Sequence, residues 1–457
     1  MSERISRTSV NLDVSAGTQP IQSAPEAETP FRMLILGDFS GRGLRGERAP
    51  IAERRPKAVD SDNLDEALSR LSPSVHLPQA TLRFRALDDF HPDHIYRHTG
   101  LFRKLADLRN QPAPVPAAAQ ENPQPVPTGL ASGPSLLASI MEQADEEPAS
   151  RVVAERDALA AFLKRAIEPH LAPRQDPRQL KWAARVDAAA GEQMRAILHH
   201  PNFQSLEAAW RALAMLIDRL QPDAELKIYV FDATLDELIA DAASLERCFG
   251  GSKDPWALIV GNFVFGQTAE DAARLRWLGR LGAALGAPCL GEAAPPSDPS
   301  PGRHWQELVR SPEARWIGLA LPRFLLRLPY GKDTSPAEQL DFEEMPESVH
   351  AHYLWGNPAF FCACVLGLAF RSDGWGMRPA LHRLIEGLPQ HIYRADGESV
   401  AKPCAEVLLT DHDAEFILDH GFMPLASMKD RDSVLLVRLQ SIADPPASLS
   451  GRWASRS

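Results

Sequence analysis

Val10, Leu12 and Val14 alternate with polar neighbours near the start of the chain, the period of two that a half-buried strand requires. A loose run of Ser, Pro and Glu follows at 15–29. This strand therefore sits alone on a flexible arm and must pair with something, another chain being one candidate. Met33 to Leu36 form a continuous apolar run, and 80–87 alternates again. Residues 88–110 read as a helix, with Pro92 in its first turn where a missing N–H costs little. Further on, Leu136, Leu137, Ile140 and Met141 fall on one face of a short helix at 134–147. Phe203, Leu206, Trp210, Leu213, Ile217 and Leu220 repeat at three and four, the mark of an amphipathic helix.

From there the pattern switches regularly. Residues 225–231 are a strand, and Thr234 with Glu237 three places on is a capping-box helix start. Residues 256–266 are almost wholly apolar, as a strand covered on both faces would be. A helix at 268–286 ends on Gly286, and Pro288–Ala293 gives another short strand. Strand and helix alternate as βαβαβ, which predicts an α/β fold with a largely parallel sheet. A last strand is expected at 433–439, with a polar, flexible tail from 443 to 457. One echo links distant parts: LILGDFSG at 34–41 resembles LIVGNFVFG at 258–266.

Six prolines between 111 and 128 read as a semi-rigid linker. They divide the 457 residues into a smaller α/β module at 1–110, a linker at 111–133, a helical segment at 134–172 and a larger domain at 173–442. A net charge of −11 argues against a nucleic-acid partner. Five cysteines with no CxxC suit a reducing compartment. The N-terminus lacks the apolar core of a signal peptide, and no apolar run approaches a membrane span, so the expected location is the cytoplasm, without membrane insertion.

Candidate chemistry changes this picture little. Gly41-Arg42-Gly43-Leu44-Arg45-Gly46 spells G-x-G-x-x-G, but a dinucleotide fingerprint needs its glycines at a strand-to-helix turn. Here they lead into a charged stretch broken by Pro50 and Pro56, so no nucleotide is expected. His350, His352, Cys362 and Cys364 have the look of a metal set, yet the two cysteines are two apart on an expected helix and point about 200° apart. His199 and His200 read as a helix terminus before Pro201. Asp88, Asp89, Asp93 and His94 read as acids flanking a helix start. With no nucleophile motif either, the reading is of a protein that is not an enzyme and carries no cofactor or metal.

Several longer stretches resemble a known family. PFRMLILGDFSGR, ERRPKAVDSDNLDEAL at 53–68 and LRFRALDDFHPDHI at 82–95 resemble the small subunit of the type VI secretion contractile sheath. ILHHPNFQSLEAAWRAL at 197–213, LPRFLLRLPYG at 321–331, YLWGNPAFF at 353–361 and EGLPQHIY at 386–393 resemble the large subunit, continued by KPCAEVLLTD and GFMPL. The chain thus resembles a fusion of both, over about 1–110 and 134–442. The resemblance implies a structural protein that polymerises helically around an inner tube and contracts. Its implied partners are sheath subunits, the inner-tube protein, the baseplate and an AAA+ unfoldase. The unfoldase would recognise the helix bearing Leu136, Leu137, Ile140 and Met141, and Val10, Leu12 and Val14 would supply a strand between subunits. The family's large subunit continues past the strand matching 433–439 into a further segment that this sequence lacks. The alternative expectation is therefore a sheath-fold adaptor or terminator that does not polymerise.

Overall fold

The computed structural model describes residues 25–113, 176–249, 254–296, 302–395 and 397–453. The expected strand at Val10, Leu12 and Val14 lies outside these residues. So do the expected helix with Leu136, Leu137, Ile140 and Met141 and nearly all of the Pro-rich segment.

The first region contributes β1 (Phe31–Gly37), β2 (Lys57–Val59), α1 (Leu64–Leu71), a small hairpin of β3 (Ser74–His76) and β4 (Thr81–Arg83), then α2 (Pro92–His98) and α3 (Gly100–Asn110). The single helix expected at 88–110 is in fact two. His91 caps α2 by accepting from Asp93 N, Pro92 takes the first helical position, and Thr99 is extended, which breaks the run. The second region supplies α4 (Pro177–Leu198), α5 (Pro201–Leu220), β5 (Leu226–Asp232), α6 (Leu235–Ala240), α7 (Ala242–Phe249), β6 (Leu258–Phe265), α8 (Ala269–Leu285), β7 (Cys289–Ala293), α9 (Arg303–Val309) and β8 (Ile317–Leu321). After these come β9 (Phe324–Leu325), β10 (Trp355–Gly356), α10 (Pro358–Asp373), β11 (Leu384–Ile385), the hairpin β12 (Ile392–Ala395) and β13 (Glu398–Ala401), α11 (Asp411–Asp419), β14 (Met423–Ser427) and β15 (Val434–Leu436).

Nine strands form one sheet in the order β11-β15-β14-β8-β7-β6-β1-β5-β2. It is parallel from β5 to β14 and antiparallel at both edges. β1, from the first region, lies between β5 and β6 of the second, with Ile35 opposite both Val230 and Val260. The echo between 34–41 and 258–266 thus joins two neighbouring strands, Leu34 beside Ile259 and Leu36 beside Gly261.

Alternation along β1 feeds two cores. Phe31, Met33 and Ile35 pack on one face with α4, α5 and α10, while Leu34 and Leu36 pack on the other with α6 to α9. All five are fully buried. At about 1.5–3 kcal/mol each, their burial contributes on the order of 10 kcal/mol gross, comparable to the whole net stability of a typical domain. From Pro358 to Phe370, α10 is apolar and buried nearly all round, as a helix wedged between layers must be.

The expected tail from 443 needs correction. Leu449 is buried, Arg452 donates to Trp256 O (3.1 Å) and Leu285 O (3.0 Å), and the Trp453 ring lies tilted beside Phe31 (6.1 Å between centres). Its polar composition hid three anchors that tie it to the core through 453.

Candidate functional site

The site that this fold builds is a seam where residues of 25–113 lock onto the rest. At its carboxyl edge, β1 runs into the G-x-G-x-x-G loop, and Asp38 occupies the place an anion would take. Its Oδ1 accepts from Arg42 N (2.9 Å), and its Oδ2 accepts from Gly43 N (2.8 Å) and Leu44 N (3.3 Å). The loop amides are spent on the chain's own carboxylate. Burial, with the nearby Asp232 carboxylate, pushes the Asp38 pKa up, while those three amide bonds oppose the rise. Beside it a cavity of about 140 Å³ remains, lined by Asp38, Leu44, Ser205, Thr234, Leu235 and Asn262.

Two arginines cross the seam here. Arg42 pairs with Asp232 (2.8 Å), whose Oδ1 also accepts from Ser40 N (2.9 Å). Arg54 reaches Glu237 (2.8 Å) and donates to Asp232 O (2.7 Å). Glu237 closes the predicted capping box with Thr234 and accepts from Ala49 N (3.0 Å). Burial alone would raise its pKa. The Arg54 bonds and the Ala49 and Thr234 amides outweigh that and hold it at about 2. At the other end of β1, Arg32 donates to Asp254 O and lies over Trp256 (4.0 Å) and Tyr229 (4.7 Å).

A second lock is built from buried charge. Arg327 forks onto Glu207 (2.8 and 3.2 Å) and Glu344 (2.8 and 3.1 Å), and Arg211 completes the set by bonding Glu207 (2.6 Å) and Tyr330 Oη (2.8 Å). Glu207 and Glu344 are 0% and 1% exposed. Burial disfavours the charge on Glu207, but the two guanidiniums more than compensate and its pKa falls. The first region is keyed into this group. His91 packs edge-on against Tyr330 (4.8 Å), and Asp93 accepts from Glu338 N (3.1 Å) and Gln339 N (2.9 Å). Trp210, on α5, donates to Phe39 O (2.9 Å).

Other residues singled out in the sequence are dispersed. Asp89 accepts from Arg85 N and Ala86 N at a helical turn and contacts His94 (2.9 Å). Cys362 and Cys364 are buried in α10, and burial pushes both thiols up to about 12. His352 stacks on His199 (3.7 Å between rings), whereas His350 faces Glu406 and Lys402. His199 ends α4 and His200 caps α5. Among the described residues, no group of three or more His, Cys, Asp or Glu is placed to hold a metal ion, and no helix is long and apolar enough to cross a membrane. Sequence reasoning missed the buried charge network. One signal was present: Glu207 falls on the apolar stripe of 202–220, four residues from Phe203.

Among the described residues, the hairpin β12–β13 stands apart from the nine-stranded sheet and pairs only with itself, with Ile392 exposed. Between it and residues 329–348 lies a cavity of about 800 Å³ that includes Tyr330, Glu343, Glu347, Tyr393 and Arg394.

The shared sheet and its charged locks define a two-part α/β scaffold in which neither part closes its own core. Residues 2–124 match the family described as "Type VI secretion system, VipA, VC_A0107 or Hcp2". Residues 181–248 and 300–443 match "EvpB/VC_A0108, tail sheath N-terminal domain". The chain is 30% identical over 321 residues to the type VI secretion system sheath protein TssC1 of Pseudomonas aeruginosa, covering 60% of this chain and 64% of that protein. One polypeptide thus resembles the VipA family and the VipB tail-sheath family in succession. It spans less than two thirds of that relative's length.

Proposed function

We propose that this chain is a structural subunit of a contractile secretion sheath, performing the small- and large-subunit roles as one folded unit. The observation that carries the reading is β1, a strand of the VipA-like region completing the sheet of the VipB-like region between β5 and β6. A protomer so built is a rigid brick, suited to bearing force across a lattice. In this reading it acts in the cytoplasm around an inner tube, assembles with further sheath subunits, meets the baseplate, and performs no catalysis.

Linkage between bricks would come from the strand of Val10, Leu12 and Val14 adding to a neighbour's sheet. Such head-to-tail exchange builds an open filament when the rotation does not close. Recycling would use the stripe of Leu136, Leu137, Ile140 and Met141 as a helix read by an AAA+ unfoldase.

Negative-stain microscopy of the purified chain, alone and with the inner-tube protein, tests this. Tubes or stacked rings that disappear when residues 1–20 are deleted, with unchanged melting, are the expected result. Monodisperse particles in every condition would replace this reading with the non-polymerising adaptor or terminator.

A further inference from the structure

Away from the seam, the first residue after β13 sits in an unusual setting. The backbone N–H of Lys402 donates to His391 O (2.7 Å), which extends the hairpin by one rung and fixes the root of the side chain. Its Nζ lies 3.1 Å from Nδ1 of His350 and 5.1 Å from the centre of the Tyr353 ring. The far nitrogen of the same imidazole, Nε2, faces Glu406 Oε1 at 3.4 Å. Glu406 is in turn held by a two-point contact from Arg323, at 2.8 and 2.6 Å. The His350 ring leans on Trp355 (5.4 Å), and Trp355 Nε1 donates to His350 O (3.2 Å).

This order of groups selects one tautomer. A carboxylate opposite Nε2 favours the proton there, which leaves Nδ1 as an acceptor aimed at the amine. The result is an amine, a base that can take its proton, and a carboxylate that orients the base, the arrangement that activates nucleophiles generally. Partial burial against Tyr353 disfavours the ammonium and lowers the Lys402 pKa, and the Glu406 charge only partly offsets this. His391 is the other titratable group on this side, bonded to Tyr353 Oη (2.7 Å). Nothing in the lattice reading requires such an arrangement, so the inference is independent of it.

We propose that Lys402 is a preferred site of Nε-acylation by small activated acyl groups, with His350 as its base. Nζ attacks the acyl carbonyl carbon and a C–N bond forms. The proton lost from Nζ passes to His350 Nδ1 and then to water. Collapse breaks the bond to the leaving group, which departs as phosphate from an acyl phosphate or as thiolate from a thioester. Acylation removes a cation from the root of the β12–β13 hairpin and breaks its tie to His350.

The chain has nine lysines, which makes a complete comparison practical. Full-length protein is incubated with acetyl phosphate in one arm and acetyl-coenzyme A in the other. Occupancy over time is read by mass spectrometry after chymotryptic digestion, because Pro403 blocks tryptic cleavage at Lys402. With at least one donor, Lys402 should react about fivefold or more faster than the exposed Lys57, Lys181, Lys332 and Lys429, since His350 stands 3.1 Å away to take its proton as the bond forms and, among the described residues, those lysines have no such base. The donor that gives the larger excess identifies the source of the acyl group. His350→Phe, which keeps the aromatic contact with Trp355, should bring Lys402 to within about twofold of those lysines and leave the others unchanged. A wild-type Lys402 rate at or below the exposed lysines with both donors overturns the proposal, as does a lead that survives His350→Phe.

Discussion

Arg327→Met isolates the buried charge network. The substitution keeps the volume of the stem but removes four bonds to Glu207 and Glu344 and one to Leu328 O. Glu207 retains Arg211. Glu344 retains the Tyr330 amide (2.7 Å) and a distant His199 (3.7 Å), with no cation in hydrogen-bond contact. Breaking a buried pair from one side costs about 3–5 kcal/mol, because the abandoned charge stays desolvated. At this chain length 1 kcal/mol corresponds to about 1–2 °C of melting temperature, so the variant should melt about 3–10 °C lower. Adding Glu344→Gln exchanges the stranded charge for a neutral amide and should return about a third or more of the loss. Differential scanning fluorimetry at pH 7.5 on wild type, single and double variants reads both effects. A single variant within about 1 °C of wild type, or a double variant no better than the single, would refute the view that Arg327 holds two buried carboxylates.

Three further outcomes are expected. Burial, reinforced by His352 and nearby arginines, holds the His199 pKa at about 3, far below its usual 6.5. The unfolded chain therefore takes up the proton first: stability is complete above pH 6.5 and declines as pH falls toward 3. The loss should reach about 2–3 kcal/mol at pH 4.5, and His199→Phe should flatten that part of the denaturation profile. A Cβ on Gly279, in α8, would meet Glu313 O at 2.7 Å, and a backbone atom cannot step aside, so Gly279→Ala should cost about 1–3 kcal/mol by urea titration. Gln179 accepts from Ala113 N (2.9 Å) and donates to Arg109 O and Gln111 O, which ties the end of α3 to the start of α4. Gln179→Ala removes all three bonds and should cost about 1–2 kcal/mol by urea titration; an unchanged midpoint would refute that tie.

Local order was legible in the sequence wherever one short window held the whole cause. Thr234 and Glu237 cap a helix as their spacing says, Gly286 ends α8 in a left-handed turn, and the apolar run at 258–265 is a strand, buried on both faces over 258–261 but with Val264 exposed. The run at 235–249 breaks once, at Asp241, into α6 and α7. What the sequence withheld was partnership across distance. Nothing within 31–37 says that its neighbours are 226–232 and 258–265, and the echo with 258–266 hinted at likeness rather than adjacency. Arg327, Glu207 and Glu344 are scattered charges until the fold collects them. The polar composition after 443 concealed the buried Leu449 and the two carbonyls that hold Arg452.

The position of β1 also governs how the protein is made. Phe31–Gly37 leaves the ribosome early, but β6 ends at Phe265, more than two hundred residues later. At about 5–20 residues per second, that strand waits roughly 10–45 s before both of its neighbours exist, with Arg32 alone among its large side chains charged. Such a segment invites chaperones or aggregation in the interval. A separate subunit must then find its partner by diffusion, at whatever concentration the cell maintains. When both parts share one chain, the search becomes intramolecular, at an effective concentration on the order of millimolar, and the two parts are always made in equal number.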